Sequence, residues 1–363
     1  MARSFSNLPP EYLDAHEEEL SGRIRDIKTR LGKRLLILAH HYQRPEIVNV
    51  ADQVGDSFAL ALAASRSRDA EFIVFCGVRF MAEAARVLCG DEQKVFLPNP
   101  LAGCPMADMA SLDDVRNAWS LVGSLMPGKR LAPISYMNSS SELKAFTGIH
   151  DGTICTSSNA GAAFEWGLER FDSIFFFPDK HLGANTANRL GIIRDQVVLF
   201  DPSWPDDGIE RVGHLNARII LWYGFCYVHT RFTRRHVEFW RSNEPTVKIV
   251  VHPECREEVV ESADAVGSTS FIVRYLQEAP PGSVIAVGTE IDLVQRLAVA
   301  NPDKKIFSLS NDTCPLCLNM YRTTLANVCY TLENLETCGQ VIVPEEIRAD
   351  ARIALERMLT ISS

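Results

Sequence analysis

The chain has 363 residues, 46% hydrophobic and 23% charged, with a net charge of −9. That length suits two or three domains, each with its own core, and the composition excludes disorder, collagen and coiled coil as whole-chain readings. The acidic balance argues against a nucleic-acid partner or an anionic membrane surface, though an acidic chain can still hold a locally positive pocket for a small anion.

No apolar run reaches the roughly 20 residues that span a bilayer, and MARSFSNLPPEYLDAHEEEL at the start lacks an apolar signal core. The expected location is the cytoplasm, where ten cysteines are not a disulfide framework. Residues 10–33 read as an amphipathic helix of mixed charge, within an N-terminal helical segment over 1–33. Short β-branched and aromatic runs follow, expected as buried parallel strands: 35–42, 71–78, 94–99, 131–138, 173–179, 197–202, 217–224, 248–254, 283–290 and 305–310. Ala- and Leu-rich segments such as ALALAASRSRDA lie between them. Strand alternating with helix predicts an α/β fold of parallel units with right-handed crossovers.

The sequence also repeats. AHHYQRPEIVNVADQVGDSFAL (39–60) aligns without a gap on VHPECREEVVESADAVGSTSFI (251–272), at a separation of 212 residues. His40 falls on His252, Ala51-Asp52 on Ala263-Asp264, Gly55 on Gly267 and Ser57 on Thr269. Beyond that match the expected separation is 211, with Gly77 on Gly288. A fainter middle copy puts Tyr136 and Asn138 at the polar strand end, and Ser157 or Ser158 in the place of Ser57 and Thr269. The repeat predicts three related αβα domains: 34–128, 129–240 and 241–325. A C-terminal helical and strand segment, 326–363, packs back on the core.

Ligands of open parallel sheets bind beyond the carboxyl ends of the strands. His40 and Tyr42, Tyr136 and Asn138, and His252 and Glu254 would therefore converge on one cavity if the domains face a pseudo-threefold axis. Each copy also ends in a strand followed by a cysteine: Cys104, Cys226 and Cys317. Three equivalent thiolates would meet at one end of that axis and hold a metal centre with an open position. Soft sulfur ligands without a nearby histidine favour a 4Fe-4S cluster over catalytic zinc. An open iron would serve as a Lewis acid in a dehydration. Cys314 forms a CxxC with Cys317, a pattern that alone fits zinc, redox chemistry or neither. Cys76, Cys89, Cys155, Cys329 and Cys338 read as core residues, and Cys255 follows Glu254 without an assigned role.

The motifs LAHHYQ (38–43), VGDS (54–57), FCGVRFMAE (75–83), AGCPMADM (102–109), YMNSSSELKA (136–145) and CTSSNA (155–160) run in order along the chain. FPDKHLG (177–183), GFCYVHTRFT (224–233), HPEC (252–255), VGSTS (266–270), GTEI (288–291) and CLNM (317–320) continue them. In these the chain resembles the quinolinate synthase family of bacterial de novo NAD biosynthesis. The resemblance implies condensation of iminoaspartate with dihydroxyacetone phosphate, releasing phosphate and two waters, and functional coupling to L-aspartate oxidase. It implies an oxygen-sensitive 4Fe-4S cluster on Cys104, Cys226 and Cys317, one from each domain, with the active site at the centre. His40 would line the pocket and Tyr42 would transfer protons. Ser57, Tyr136, Asn138, Ser157, Ser268 and Thr269 would hydrogen-bond the substrates. His229 and His252 would touch their carboxylate or phosphate oxygens. Glu254 would be the main acid/base group, with a pKa raised by desolvation.

Asp179 is read as ordering a turn, and His150, His181, His214 and His236 receive no role. Two features depart from the family pattern: Asn99 stands where an acidic residue is expected, and 203–214 is longer than in compact members. Two rival readings use the same cysteines. One is another iron–sulfur-dependent hydro-lyase, separated by phosphate release from dihydroxyacetone phosphate. The other is a non-catalytic metal or redox-sensing protein, which needs no polar strand ends around a cavity.

Overall fold

The computed structural model describes residues 8–204 and 216–361; His214 and most of the long 203–214 stretch lie outside them. The fold is α/β, with three all-parallel sheets. The first sheet holds β1 (Leu35–His40), β2 (Gln53–Gly55), β3 (Phe72–Cys76) and β4 (Lys94–Phe96), in the order β2-β1-β3-β4. The second holds β5 (Leu131–Tyr136), β6 (Thr153–Cys155), β7 (Ser173–Phe177), β8 (Val197–Phe200) and β9 (Ile219–Trp222), in the order β6-β5-β7-β9-β8. The third holds β10 (Lys248–Val251), β11 (Ala265–Val266), β12 (Val284–Gly288) and β13 (Lys305–Ser308), in the order β11-β10-β12-β13.

All ten expected strands form. Among the described residues, the three that the sequence did not announce are β2, β6 and β11, which are two or three residues long. Such segments are too short for any hydrophobic period to register. β1, β3 and β7 are buried at every residue, because helices cover both faces of a parallel sheet and its strands become continuous apolar runs.

The chain forms two compact units. One comprises the chain up to Cys104 with Glu290–Ala300 and Leu316–Val343; the other comprises Pro105–Thr289, Asn301–Pro315 and the chain from Pro344. In the first unit, Ile24 and Ile27 of the helix Glu17–Leu31, with Val328 and Leu332 of the helix Leu325–Glu333, pack on Ile37, Val74 and Phe96 of the first sheet. In the second unit, Val115, Val122 and Phe146 from the helices Leu112–Leu125 and Ser141–Ile149 pack on Phe175, Phe177 and Trp222 of the second sheet. There too, Val237 and Trp240 of the helix Arg234–Asn243 cover Ile249, Val251 and Ala286 of the third sheet.

The first and third sheets repeat one another strand for strand. The helices Ser57–Arg66 and Thr269–Glu278 begin and end at the 212-residue separation. So do Arg79–Leu88 and Ile291–Ala300. The side chain of Asp52 accepts the Ile37 N–H at 2.7 Å, and Asp264 accepts the Ile249 N–H at 2.8 Å. One expectation is corrected. β3 pairs Ala39 with Cys76, and β12 pairs Val251 with Gly288. Gly288 therefore matches Cys76, not Gly77. The separation drops to 211 only at Lys94 and Lys305, because the loop 301–304 is one residue shorter than 89–93. In the middle copy β9 takes the place of β4 beside β7, and β8 is an added edge strand.

Candidate active site

The second unit gathers polar groups at its strand exits. Tyr136 ends β5, His229 opens the short 3-10 turn His229–Arg231, His252 and Glu254 lie just past β10, and Thr289 follows β12. Tyr136 donates its hydroxyl to Glu254 Oε1 at 2.5 Å, and Nδ1 of His229 lies 2.7 Å from Oε2. Nε2 of His229 reaches Thr289 Oγ1 at 3.2 Å. The His252 ring stacks on His229, with centroids 4.4 Å apart and 16° between planes. A ligand atom from each of Cys226, His229 and Glu254 falls within 4.8 Å of the other two.

The charge on Glu254 differs from expectation. At 3% exposure, burial works to raise its pKa. The charges of His229 and His252, and hydrogen bonds from His229 and Tyr136, outweigh that and hold it at about 2. Glu254 is thus held as a carboxylate by the groups around it, although it is buried. The raised carboxyl nearby is Asp179, pushed well above the ordinary aspartate value by complete burial and by the charge of Glu254. Asp179 does order a turn, since its Oδ1 accepts the Leu182 N–H at 2.8 Å and caps the helix Lys180–Arg189. Its buried Oδ2 has no hydrogen-bond partner.

Other expected residues of this unit divide in two groups. Asn138 Oδ1 and Thr269 Oγ1 are buried without a hydrogen-bond partner in the protein; a native interior usually pairs such atoms with protein, water or a ligand. Ser157 lines a cavity of about 240 Å³ with Asn185, Arg189, Pro253 and Gly267, and it is not a helix cap, because Asn159 holds that place. Ser268 has a structural duty as the cap of Thr269–Glu278, accepting the Phe271 N–H at 3.3 Å. His236 pairs with Asp312 at 2.9 Å.

In the first unit His40 and Tyr42 mirror His252 and Glu254. Tyr42 N–H donates to His40 Nδ1 at 3.2 Å, as Glu254 N–H donates to His252 Nδ1 at 3.3 Å. The His40 and Tyr42 rings meet edge to face at 4.7 Å. Ser57 is the first residue of a helix capped by Asp56.

A family model described as Quinolinate synthetase A protein matches residues 22–360. The curated quinolinate synthase of Corynebacterium glutamicum is 50% identical over 358 residues, covering 98% of this chain and 90% of its own length. Those of a Geobacillus species and of Bacillus subtilis are 45% and 43% identical, over 99% of this chain and 98% of theirs. The chain belongs to the quinolinate synthase family.

The cysteines of this family member sort by burial. Cys76, Cys89, Cys155, Cys255 and Cys329 are buried, Cys104, Cys226, Cys317 and Cys338 are half-buried, and Cys314 is exposed. Burial pushes the thiols of Cys76 and Cys329 up to about 12, and that of Cys155 higher still. These behave as core residues, and the half-buried set contains all three motif cysteines. The loop of Cys317 is held within the first unit by side chains that the motif reading passed over. Gln43 Nε2 donates to Met320 O at 3.1 Å, and Arg44 Nη2 donates to Tyr321 O at 2.7 Å. The Arg44 guanidinium also lies over the Tyr321 ring at 3.4 Å. Asn99 donates to Arg322 O at 2.9 Å, a bond that an ionised acidic residue there could not make.

Glu290 is the other residue missed. Its carboxyl accepts the Asp292 N–H at 2.8 Å, the Leu293 N–H at 3.3 Å and the Cys317 N–H at 3.2 Å. Burial, reinforced by Asp292, raises it to about 8. With the separation corrected to 212, Glu290 matches Val78, and the β5–β7 register brings Asp179 to the same place in the middle copy. The signal was present in the repeat but displaced by one residue.

Proposed function

We propose that the protein condenses iminoaspartate with dihydroxyacetone phosphate to quinolinate in NAD biosynthesis. Phosphate and two waters leave, so the seven carbons and the nitrogen are conserved. The observation that carries this reading is family membership over residues 22–360. Iminoaspartate would come from an L-aspartate oxidase.

A 4Fe-4S cluster fits the donor set. The three motif cysteines, Cys104, Cys226 and Cys317, are half-buried in loops that follow β4, β9 and β13, and thiolate is the donor such clusters take. The group would supply a Lewis acid for dehydration. The chain's own residues would do the rest. Glu254, ionised, would take a proton from substrate carbon, and the Tyr136 hydroxyl and the His229 imidazole beside it would exchange protons with it. Asn138 and Thr269, whose buried oxygens lack partners, would hydrogen-bond substrate, and so would Ser157. His40, Tyr42, Ser57 and Ser268 would complete the pocket, and His252 would face the substrate's negative charge.

The test is anaerobic reconstitution with iron and sulfide, followed by assay of quinolinate and phosphate from the two substrates. Both products are expected in equal amounts. Replacing any one of Cys104, Cys226 and Cys317 with Ala should abolish the cluster and turnover, and Cys314→Ala should spare both. Dehydration of a hydroxy acid without phosphate release would favour the hydro-lyase reading instead.

A further inference from the structure

We propose that Asn185 is the positioning residue for Glu254: it clamps the turn that carries this carboxylate and so aims the group between Tyr136 and His229. The proton transfer rests on the reading above; the clamp rests on hydrogen bonds. Asn185 lies in the second turn of the helix Lys180–Arg189 and is buried. Its Nδ2 donates to Pro253 O and to Cys255 O, both at 2.8 Å. An amide NH₂ has two hydrogens, so both go to the residues on either side of Glu254. The peptide leading into Glu254 is then held at each end, because its N–H donates to His252 Nδ1 at 3.3 Å. The Cys255 N–H closes the turn on His252 O at 3.0 Å. With the backbone fixed, the carboxylate has only its own side-chain torsions to set. Asparagine is a poor residue for a helix interior, so the contact, not the helix, accounts for it.

The other two copies brace the same place with different donors. Strand register makes His41, Met137 and Pro253 equivalent, each following the strand-exit residue His40, Tyr136 or His252. In the middle copy the buried Lys144 donates its Nζ to Met137 O at 2.9 Å and also to Ser139 O. These are the two carbonyls on either side of Asn138, which holds the place of Glu254. In the first unit Arg296 Nη2 donates to His41 O at 3.1 Å. Arg296 stands six residues past Glu290, as Asn185 stands six past Asp179. Six past Val78 is Ala84, which has no donor, and Met137 takes its donor from its own copy. One carbonyl that recurs as an acceptor, while its donor changes between amide, ammonium and guanidinium, marks a backbone position that the strand exits need held.

The test uses the full chain with Asn185→Leu, which keeps the volume and removes both donors, and Asn185→Asp, which keeps the shape and at most one donor. After reconstitution with iron and sulfide, Asn185→Leu should lower kcat about 10- to 100-fold, the worth of two net hydrogen bonds, with KM within about 2-fold. Asn185→Asp should lose about 3- to 10-fold, and it carries the same test if the Leu variant does not fold. In a Glu254→Gln background either change should cost under about 2-fold, because no carboxylate is left to aim. Losses that multiply in the double variant overturn the proposal. A second readout does not need activity. In the cluster-free protein, amide hydrogen exchange over 252–256 should quicken about 10-fold in Asn185→Leu, with 38–43 unchanged. Unchanged exchange over 252–256 also overturns the proposal. If the wild type forms no quinolinate but exchange responds as stated, the activity reading fails and the clamp stands.

Discussion

Residues 35–96 and 248–308 share strand order, register and a side-chain link at Asp52 and Asp264, yet their strand exits carry different chemistry. Two residues past the strand-exit histidine, one copy has Tyr42 and the other has Glu254. Each donates its backbone N–H to the histidine two residues earlier. The scaffold is thus a frame that sets where a side chain stands and not what it does. Glu254 owes its low pKa most to His229 of the middle copy, with His252 of its own copy and Tyr136 of the middle one adding to it.

The largest break in that comparison should come from Glu254→Gln. In the proposed mechanism loss of the carboxylate removes the proton acceptor between Tyr136 and His229, and turnover should fall by roughly 10²–10⁴. Quinolinate formation at the wild-type rate would remove Glu254 from the mechanism. The second effect concerns stability. A Cβ on Gly288 would meet Val251 Cγ1 at 2.8 Å, whereas the matching Cys76 already carries a side chain. Gly288→Ala should therefore cost about 1–3 kcal/mol of overpacking, and Cys76→Ala only about 1 kcal/mol of lost contacts, as read by denaturant titration. Equal losses would mean that the two sheets do not share a register at this point.

Tyr42→Phe sharpens the contrast from the other side. It keeps the ring against His40 and removes only the hydroxyl. A loss of about 3- to 10-fold in turnover, one hydrogen bond's worth, is expected; a loss as great as that of Glu254→Gln would make Tyr42 the principal proton carrier. The smallest effect is at Asp264, which pairs with Arg241 at 2.7 Å at the protein surface. Burial works to raise its pKa, but the Ile249 N–H and Arg241 outweigh this and lower it. Its stabilisation is therefore present above the ordinary aspartate range and lost as pH falls through the lowered value. Asp264→Asn should cost under about 1 kcal/mol at neutral pH, and the gap to wild type should close in acid. A gap that persists in acid would show that the amide disturbs packing instead.

Much of this protein was legible in its residues. Apolar runs such as SIFFF and LLILAH marked strands because both faces of a parallel sheet are buried, leaving no alternation to misread. The gapless repeat disclosed the shared strand exits, since a duplicated fold keeps its spacing wherever its loops keep their length. The motifs led to the family without a structure. Tertiary packing alone decided the charge states. Spacing places Glu254 after a strand but does not say that two imidazoles and a phenol surround it, so desolvation was expected to win where electrostatic attraction does. Asp179 was legible as a cap but not as a carboxyl whose pKa is raised by complete burial and then by the charge of Glu254, a group 75 residues further along the chain. Glu290 escaped because a one-residue error in the repeat hid its equivalence to Asp179. Only strand register, fixed by backbone hydrogen bonds between segments distant in sequence, could correct it.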